Sequence, residues 1–360
     1  MFLLLLQVAY VTVTFPTVLL LILLVQGTRL EGHVEGITFF LDADWSKLSD
    51  MSIWSSAATQ AMYSLGIVFG SHLAMASYNN FRHNLTRDVI IVTLANTVTS
   101  ILSGFVVFLF LGHASYRLNK PIDKLLENPG PSLLFVSYIQ GISKLQGSAV
   151  WACLFFLMVL TLALDSAFIM AWTIHQAIID VIPKVKKRWT VISLTTMCSL
   201  SFLLGVPLVT EGGIHMIVLL DQYTSNFSLT LFLLLESLSV CYIYGLANFL
   251  KDMEMMLGQR SKIVAWYFRI TWSVTSPAFC VFIFIASAIG YSKSSYGGVE
   301  ISTGGEVIGW LVILTPFVMM ISYMVFLLYK HRKPEKNISS LLQTVSMPCE
   351  VNYFIKACFN

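Results

Sequence analysis

Long apolar runs recur along the chain, each bounded by short polar stretches. A helix needs about 20 apolar residues to cross the hydrocarbon core of a bilayer. Eight runs reach that length, near residues 5–26, 57–79, 88–112, 149–179, 189–208, 225–249, 264–289 and 308–329. The pattern predicts an all-α polytopic membrane protein, with a membrane domain over residues 1–332 and a cytoplasmic tail over 333–360. The first run lacks the basic n-region and small-residue cleavage site of a signal peptide. It therefore reads as a mature spanning helix.

The second run departs from the rest. Its stretch Tyr63-Ser-Leu-Gly-Ile-Val-Phe-Gly70 holds Ser64, Gly66 and Gly70 where the membrane midplane falls. Glycine costs about 1 kcal/mol per helix position, so this is a place where a helix can open. Close packing of two helices through small residues is the other reading. Among the connections, 113–148 is long and is divided by Pro121, Pro129 and Pro131. Residues 132–145 within it read as a short amphipathic helix, able to cap a vestibule.

Composition sharpens the membrane reading. Of 360 residues, 56% are hydrophobic and 11% charged, against about 25% charged in soluble domains. Mean hydropathy is +0.76. A net charge of +3 gives no reason to invoke nucleic acid. The basic residues cluster at alternate connections: Arg82 and Arg87; Lys184, Lys186, Lys187 and Arg188; Lys251, Arg260 and Lys262; Lys330, Arg332, Lys333 and Lys336. The remaining connections, 27–56, 113–148, 209–224 and 290–307, are longer, with mixed charge or many Gly and Ser. The positive-inside rule places the basic set and the C-terminal tail in the cytoplasm. Six cysteines form no CxxC or Cys/His cluster, so neither zinc nor a disulfide framework is indicated. No nucleophile–base pair or metal-ligand motif points to an enzyme.

Several polar residues lie where a membrane should exclude them. Asp165 sits in Leu160-Thr-Leu-Ala-Leu-Asp-Ser-Ala-Phe168, and a central carboxylate costs about 2.5–3.5 kcal/mol on insertion scales. It is retained if it faces a cation, a relay partner or a polar cavity, or if a structural partner neutralises it. Ser166 adds a hydroxyl oxygen, and hard cations take several oxygens. Asn96 and Ser100 are one helical turn apart, with Thr99 between them; Gln60 and Ser64 have the same spacing. Together they can offer donors to an anion and oxygens to a cation, or hydrogen-bond two helices. Asp221 stands at the outer entrance of the sixth run, where a solvated loop acid is equally natural. His72 reads as packing.

The string Gln60-Ala-Met-Tyr-Ser-Leu-Gly66, with Phe69-Gly70 and Ala76-Ser-Tyr-Asn79, resembles the unwound sixth helix of neurotransmitter:sodium symporters. Leu162-Ala-Leu-Asp-Ser166 resembles their eighth helix. Val11-Thr-Val-Thr-Phe-Pro16, Asp44-Trp-Ser-Lys-Leu48, Tyr244-Gly245, Trp272 and Ser276-Pro277 match in the same order. The resemblance runs from about Val8 to Arg332. It implies a LeuT-type inverted-repeat fold, in which the eight runs correspond to helices five to twelve and the first four are absent.

Carried over residue by residue, the resemblance implies sodium ligands at Ser64 and Asn96 and, in a second site, at Leu162 (by its carbonyl), Asp165 and Ser166. It implies chloride at Gln60, Ser64, Asn96 and Ser100, and substrate contacts from Tyr63, Gly66, Phe69 and Ser166. Asp221 would be the outer gate acid. Ala163, Met170 and Trp172 depart from common family residues and bear on substrate identity. The implied activity is sodium- and chloride-dependent symport of a small amino acid or amine across the plasma membrane, with no resident cofactor and with homo- or hetero-oligomers in prospect. The rival expectation is a transport-inactive short form that associates with a full-length transporter.

Overall fold

In the long helices apolar side chains surround the axis instead of forming one stripe, the pattern of helices bounded by lipid and by one another. The computed structural model describes residues 2–331, leaving aside 43, 127–134, 136–137, 140–141, 144–146, 182–186, 259–260, 292, 294 and 297–298. Among the described residues, seven helical stretches are long and apolar enough to cross a membrane: Val8–Gly27, Leu85–Leu118, Ser148–Ile179, Val191–Val209, Gly213–Leu257, Lys262–Ile289 and Thr303–Phe326. They cover seven of the eight predicted runs. The run at 57–79 is the exception, because it breaks. The tail and most of the basic clusters at 184–188, 259–260 and 332–336 lie outside the described residues.

The chain begins with α1 (Phe2–Gly27) and the short helix α2 (His33–Leu41). Helices α3 (Met51–Leu65) and α4 (Ser71–Ala76) flank the break, and α5 (Leu85–Leu118) and the short α6 (Ile122–Leu125) come after them. Next come α7 (Ser148–Val181) and α8 (Lys187–Gly205). Helices α9 (Gly213–Gln222), α10 (Leu229–Leu238) and α11 (Leu246–Leu257) are joined end to end by π-turns at Tyr223–Ser228 and Ser239–Gly245. A third π-turn, Thr271–Thr275, joins α12 (Lys262–Ile270) to α13 (Ser276–Ile289), and α14 (Thr303–His331) ends the described chain. A small antiparallel ladder pairs β1 (Ser295–Tyr296) with β2 (Val299–Glu300) before α14.

The structure corrects the expected loop at 209–224: from Gly213 it is already helix. Asp221 is accordingly a helical residue and not part of a loop. Gly212, Gly213 and Glu211 dilute the hydropathy there, although the helix starts among them. The connection at 27–56 also holds structure, α2 and a 3-10 turn at Trp45–Ser49. In the long connection after α6, Phe135, Tyr138, Ile139 and Ile142 are helical and Ser143 is in a turn; the other residues of the expected 132–145 helix lie outside the described residues. Tyr138 and Ile142, one turn apart, bury themselves against Phe110 of α5 and Phe155 of α7, while Phe135 and Ile139 stay exposed. Burial raises the Tyr138 phenol above its ordinary range.

Helix α1 packs between α5 and α7, and α4 packs on α7; α3 packs on α13. The first cluster of buried side chains joins Leu19, Leu20, Leu23, Val106, Phe110, Phe155 and Met158. A second joins Leu219, Tyr223 and Phe227 to Ile313 and Phe317 of α14. The seam between α2 and α5 is closer than side chains allow. A Cβ on Gly36 would stand 1.9 Å from the Phe108 carbonyl oxygen, and one on Gly112 would stand 2.6 Å from the Gly32 carbonyl. Phe40 stacks on Phe108 beside it, with ring centroids 4.7 Å apart.

Candidate functional site

Helix α3 is started by Asp50, whose side chain accepts the Ser52 backbone N–H at 2.9 Å. That bond holds the Asp50 carboxyl below the usual carboxylate range. The helix ends at Gly66, with φ 64° and ψ 29°, the left-handed region open to glycine at little cost. A single 3-10 turn, Ile67–Phe69, leads to Gly70 at φ 72°, and α4 begins there. The expected opening between Ser64 and Gly70 is therefore present.

A helix that stops inside a bundle leaves carbonyls without donors. Here His72 reaches back across the break, its Nε2 standing 2.6 Å from the Leu65 carbonyl. The bond requires the proton on Nε2. His72, read from sequence as packing, thus satisfies the severed end. Tyr63 and Phe69 meet edge to face over the opening, with centroids 5.6 Å apart. Gly70 lies against α7, since a Cβ there would sit 3.4 Å from Thr173 Cγ2.

Of the expected site residues, the structure brings Ser64 and Asn96 together. The Ser64 hydroxyl donates to Asn96 Oδ1 at 3.1 Å, and Asn96 Nδ2 donates to Ser64 Oγ at 2.9 Å. Gln60 and Ser100 make no side-chain hydrogen bond to that pair among the described residues. Both are exposed, so shared helix faces have not made one closed cluster. On α7, Leu162, Asp165 and Ser166 share a face by their spacing. Asp165 is half-buried, and Leu162 and Ser166 are exposed.

The partner of Asp165 is one the sequence did not disclose. The Thr12 hydroxyl, buried in α1, donates to Asp165 Oδ1 at 3.1 Å. Pro16 also removes the N–H that would bond the Thr12 carbonyl, because proline has none to give. A hydroxyl one turn before a proline in an apolar helix was the available signal. Helix α4, on the far side of the break from Ser64, packs on α7, the helix that carries Asp165.

Asp221 is exposed on α9, and its Oδ1 accepts the Ser225 hydroxyl at 3.1 Å. Two residues on, Tyr223 is fully buried, and its hydroxyl bonds to Glu306, as does that of Tyr291. The two phenol oxygens are 2.7 Å apart. Beside this cluster, a cavity of about 320 Å³ is lined by Ser52, Ser55, Ser56, Ser287 and Lys293, among others. No spacing or composition marks these residues in the sequence. Further in, the π-turns face one another: Cys241 donates through sulfur to the Trp272 carbonyl at 3.0 Å, and Tyr242 donates to the Ser273 carbonyl at 2.6 Å.

These features define a helical membrane protein with a broken helix that opens beside a pair of polar oxygen donors. The sequence profile of the sodium:neurotransmitter symporter family matches residues 5–331, and the chain belongs to that family, whose fold is LeuT-type. A sodium- and chloride-dependent glycine transporter 2 from Xenopus laevis is 38% identical over 308 residues, which is 85% of this chain and 38% of that protein. The human sodium- and chloride-dependent neutral and basic amino acid transporter B(0+) is 37% identical over 310 residues, 86% of this chain and 48% of that protein. A glycine transporter 1 from Xenopus laevis is 36% identical over 321 residues, 89% of this chain and 50% of that protein. The chain thus spans half or less of the length of these relatives.

Proposed function

We propose that the protein carrying this chain is a sodium- and chloride-coupled symporter of a small neutral amino acid at the plasma membrane. Glycine is the first substrate to test. The observation that carries this reading is the helix opening at Gly66–Gly70 directly beside the Ser64–Asn96 pair. An opened helix inside a membrane supplies backbone oxygens and N–H groups that a closed one keeps for itself.

In this reading, Ser64 and Asn96 ligate one sodium ion through side-chain oxygens. The Leu162 carbonyl, Asp165 and Ser166 ligate a second, and Thr12 orients the Asp165 carboxylate. Chloride is held by the hydroxyls of Ser64 and Ser100 and the amides of Gln60 and Asn96. Its charge offsets the repulsion of the nearby cations, which is substantial even at an effective dielectric near 20. Tyr63, Gly66, Phe69 and Ser166 contact the substrate, Asp221 closes the outer side, and the basic connections face the cytoplasm. Coupling arises if the ions and the substrate bind different states of the carrier unequally. Sodium, chloride and amino acid are all cargo, and no group on the path is assigned bond-making chemistry.

The test is uptake of tritiated glycine into cells expressing the protein. Uptake should depend on outside sodium and outside chloride. Equal uptake when choline replaces sodium, or gluconate replaces chloride, overturns the corresponding arm.

A further inference from the structure

The π-turn after α9 has a specific neighbour. Leu219, Tyr223 and Phe227, spaced by four residues, are all buried against Ile313 and Phe317 of α14. A spacing of four drifts around an ordinary helix of 3.6 residues per turn. The wider π-turn at Tyr223–Ser228 absorbs the excess, so the three side chains stay on one face while Asp221 remains exposed on another. Were the turn to relax to an α-helix, everything before it would rotate by roughly 100° relative to α10. Asp221 would then point elsewhere.

Tyr223 is the fixed point of this arrangement. Its ring meets Trp310 edge-on with centroids 5.4 Å apart, and a Cβ on Gly309 would stand 2.6 Å from that ring. Its hydroxyl and that of Tyr291 both bond Glu306, in the first turn of α14. A buried phenol without a partner is costly, so the carboxylate is what keeps Tyr223 seated. Tyr291 brings in the connection after α13, which closes the cluster from the other side.

We propose that Glu306 is a positioning residue of the outer gate: acting through Tyr223 and Tyr291, it holds the π-turn and so sets the direction of Asp221. The proposal rests on Asp221 being the gate acid. The same geometry makes a claim about Glu306 that stands without any transport measurement.

The experiment uses the full chain purified in detergent, with Cys153, Cys198, Cys349 and Cys358 replaced by serine and a reporter introduced as Asp221→Cys. The rate of reaction with a membrane-impermeant maleimide is measured in three backgrounds. Glu306→Leu should change the rate at position 221 at least fivefold. Glu306→Gln, which keeps an acceptor oxygen and the shape, should stay within twofold of the parent. A second reporter, Val209→Cys, is 88% exposed and precedes α9; it should label alike in all backgrounds, which separates loss of aim from general loosening. An unchanged rate at 221 in Glu306→Leu, or a change at both reporters alike, overturns the proposal. If Glu306→Leu does not give monodisperse protein, Tyr291→Phe replaces it. At least a twofold change is then expected at 221, and an unchanged rate overturns the proposal in the same way. Sodium-dependent uptake by Asp221→Asn is scored separately. Unchanged uptake there removes the gate reading and leaves the labelling result to decide whether Glu306 sets the turn.

Discussion

Between Leu65 and Ser71 the chain leaves the α-helix, passing through two left-handed glycines, whereas over Tyr223–Ser228 and Ser239–Gly245 it widens twice within a continuous helix and takes a positive φ only at the closing Gly245. Both stretches lie in a bundle where water is scarce and backbone polar groups need partners. The π-turn keeps its hydrogen bonds within the helix and changes only which side chains face which neighbour. The glycine break releases carbonyls and N–H groups and has to find partners for them: the His72 ring for Leu65, the Ser64–Asn96 pair alongside, and in the proposed function the ions themselves. One device re-aims side chains, the other frees backbone. A membrane helix that binds ions needs the second, and one that aims a gate residue needs only the first.

The contrast predicts that backbone geometry rules the break and side-chain donors rule the π-turns. The largest effect is expected for Gly66→Ala combined with Gly70→Ala, because a left-handed conformation costs an L-residue about 1–2 kcal/mol. Together they should destabilise by roughly 2–4 kcal/mol if the costs add. A lowered midpoint of thermal unfolding and lost uptake would show it. Gly205→Ala, with φ −78° and open space around it, should be neutral or slightly stabilising in the same assay. Equal midpoints for the double variant and the parent would mean that the break does not depend on left-handed backbone.

Asp165→Asn keeps size and removes charge. A lost charge-assisted contact of about 1.5–3 kcal/mol corresponds to a rise in half-saturating sodium of roughly ten- to over a hundredfold. A sodium titration of uptake reads it, and an unmoved midpoint takes Asp165 off the cation path. On the π-turn side, Tyr242→Phe deletes the donor to the Ser273 carbonyl and should cost about 0.5–1.5 kcal/mol. Faster amide hydrogen exchange across 271–275, with no change across 64–70, would tie the loss to that turn. The smallest effect is expected for His72→Gln. Its side-chain amide can still donate to the Leu65 carbonyl, so the loss should be under about 1 kcal/mol, while His72→Leu should lose more. Identical unfolding midpoints for those two would mean that His72 is only packing.

How far the sequence reveals these devices depends on their physics. The break was legible because glycine and serine are conspicuous in an apolar run and glycine alone takes the left-handed region freely. The spanning helices were legible for the same compositional reason. The π-turns carried little signal: Tyr223–Ser228 holds ordinary membrane residues, Ser239–Gly245 is marked only by its closing glycine, and only the facing helices disclose the extra width. Contacts set by the fold were also hidden. Thr12 meets Asp165 across 153 residues and Tyr223 meets Glu306 across 83; the proline one turn after Thr12 marks that hydroxyl, but nothing local says which residue it meets. Periodicity put Gln60 with Ser64 and Asn96 with Ser100 on shared faces, but of these four only Ser64 and Asn96 hydrogen-bond to each other among the described residues. A helical face fixes direction and leaves distance open.

The seam between α2 and α5 has a mechanical consequence. With Gly36 and Gly112 in backbone contact and Phe40 stacked on Phe108, the two helices have no lubricating layer of side chains along which to slide. Sliding along that seam would force backbone against backbone. Gly112 lies sixteen residues beyond Asn96 on α5, about 24 Å along the axis. A push on α2 would therefore arrive at Asn96 as the tilt of a stiff rod. The connection that carries α2 would serve as a handle on the polar pair at the opened helix, and a force applied there would be transmitted with no intermediate rearrangement to absorb it.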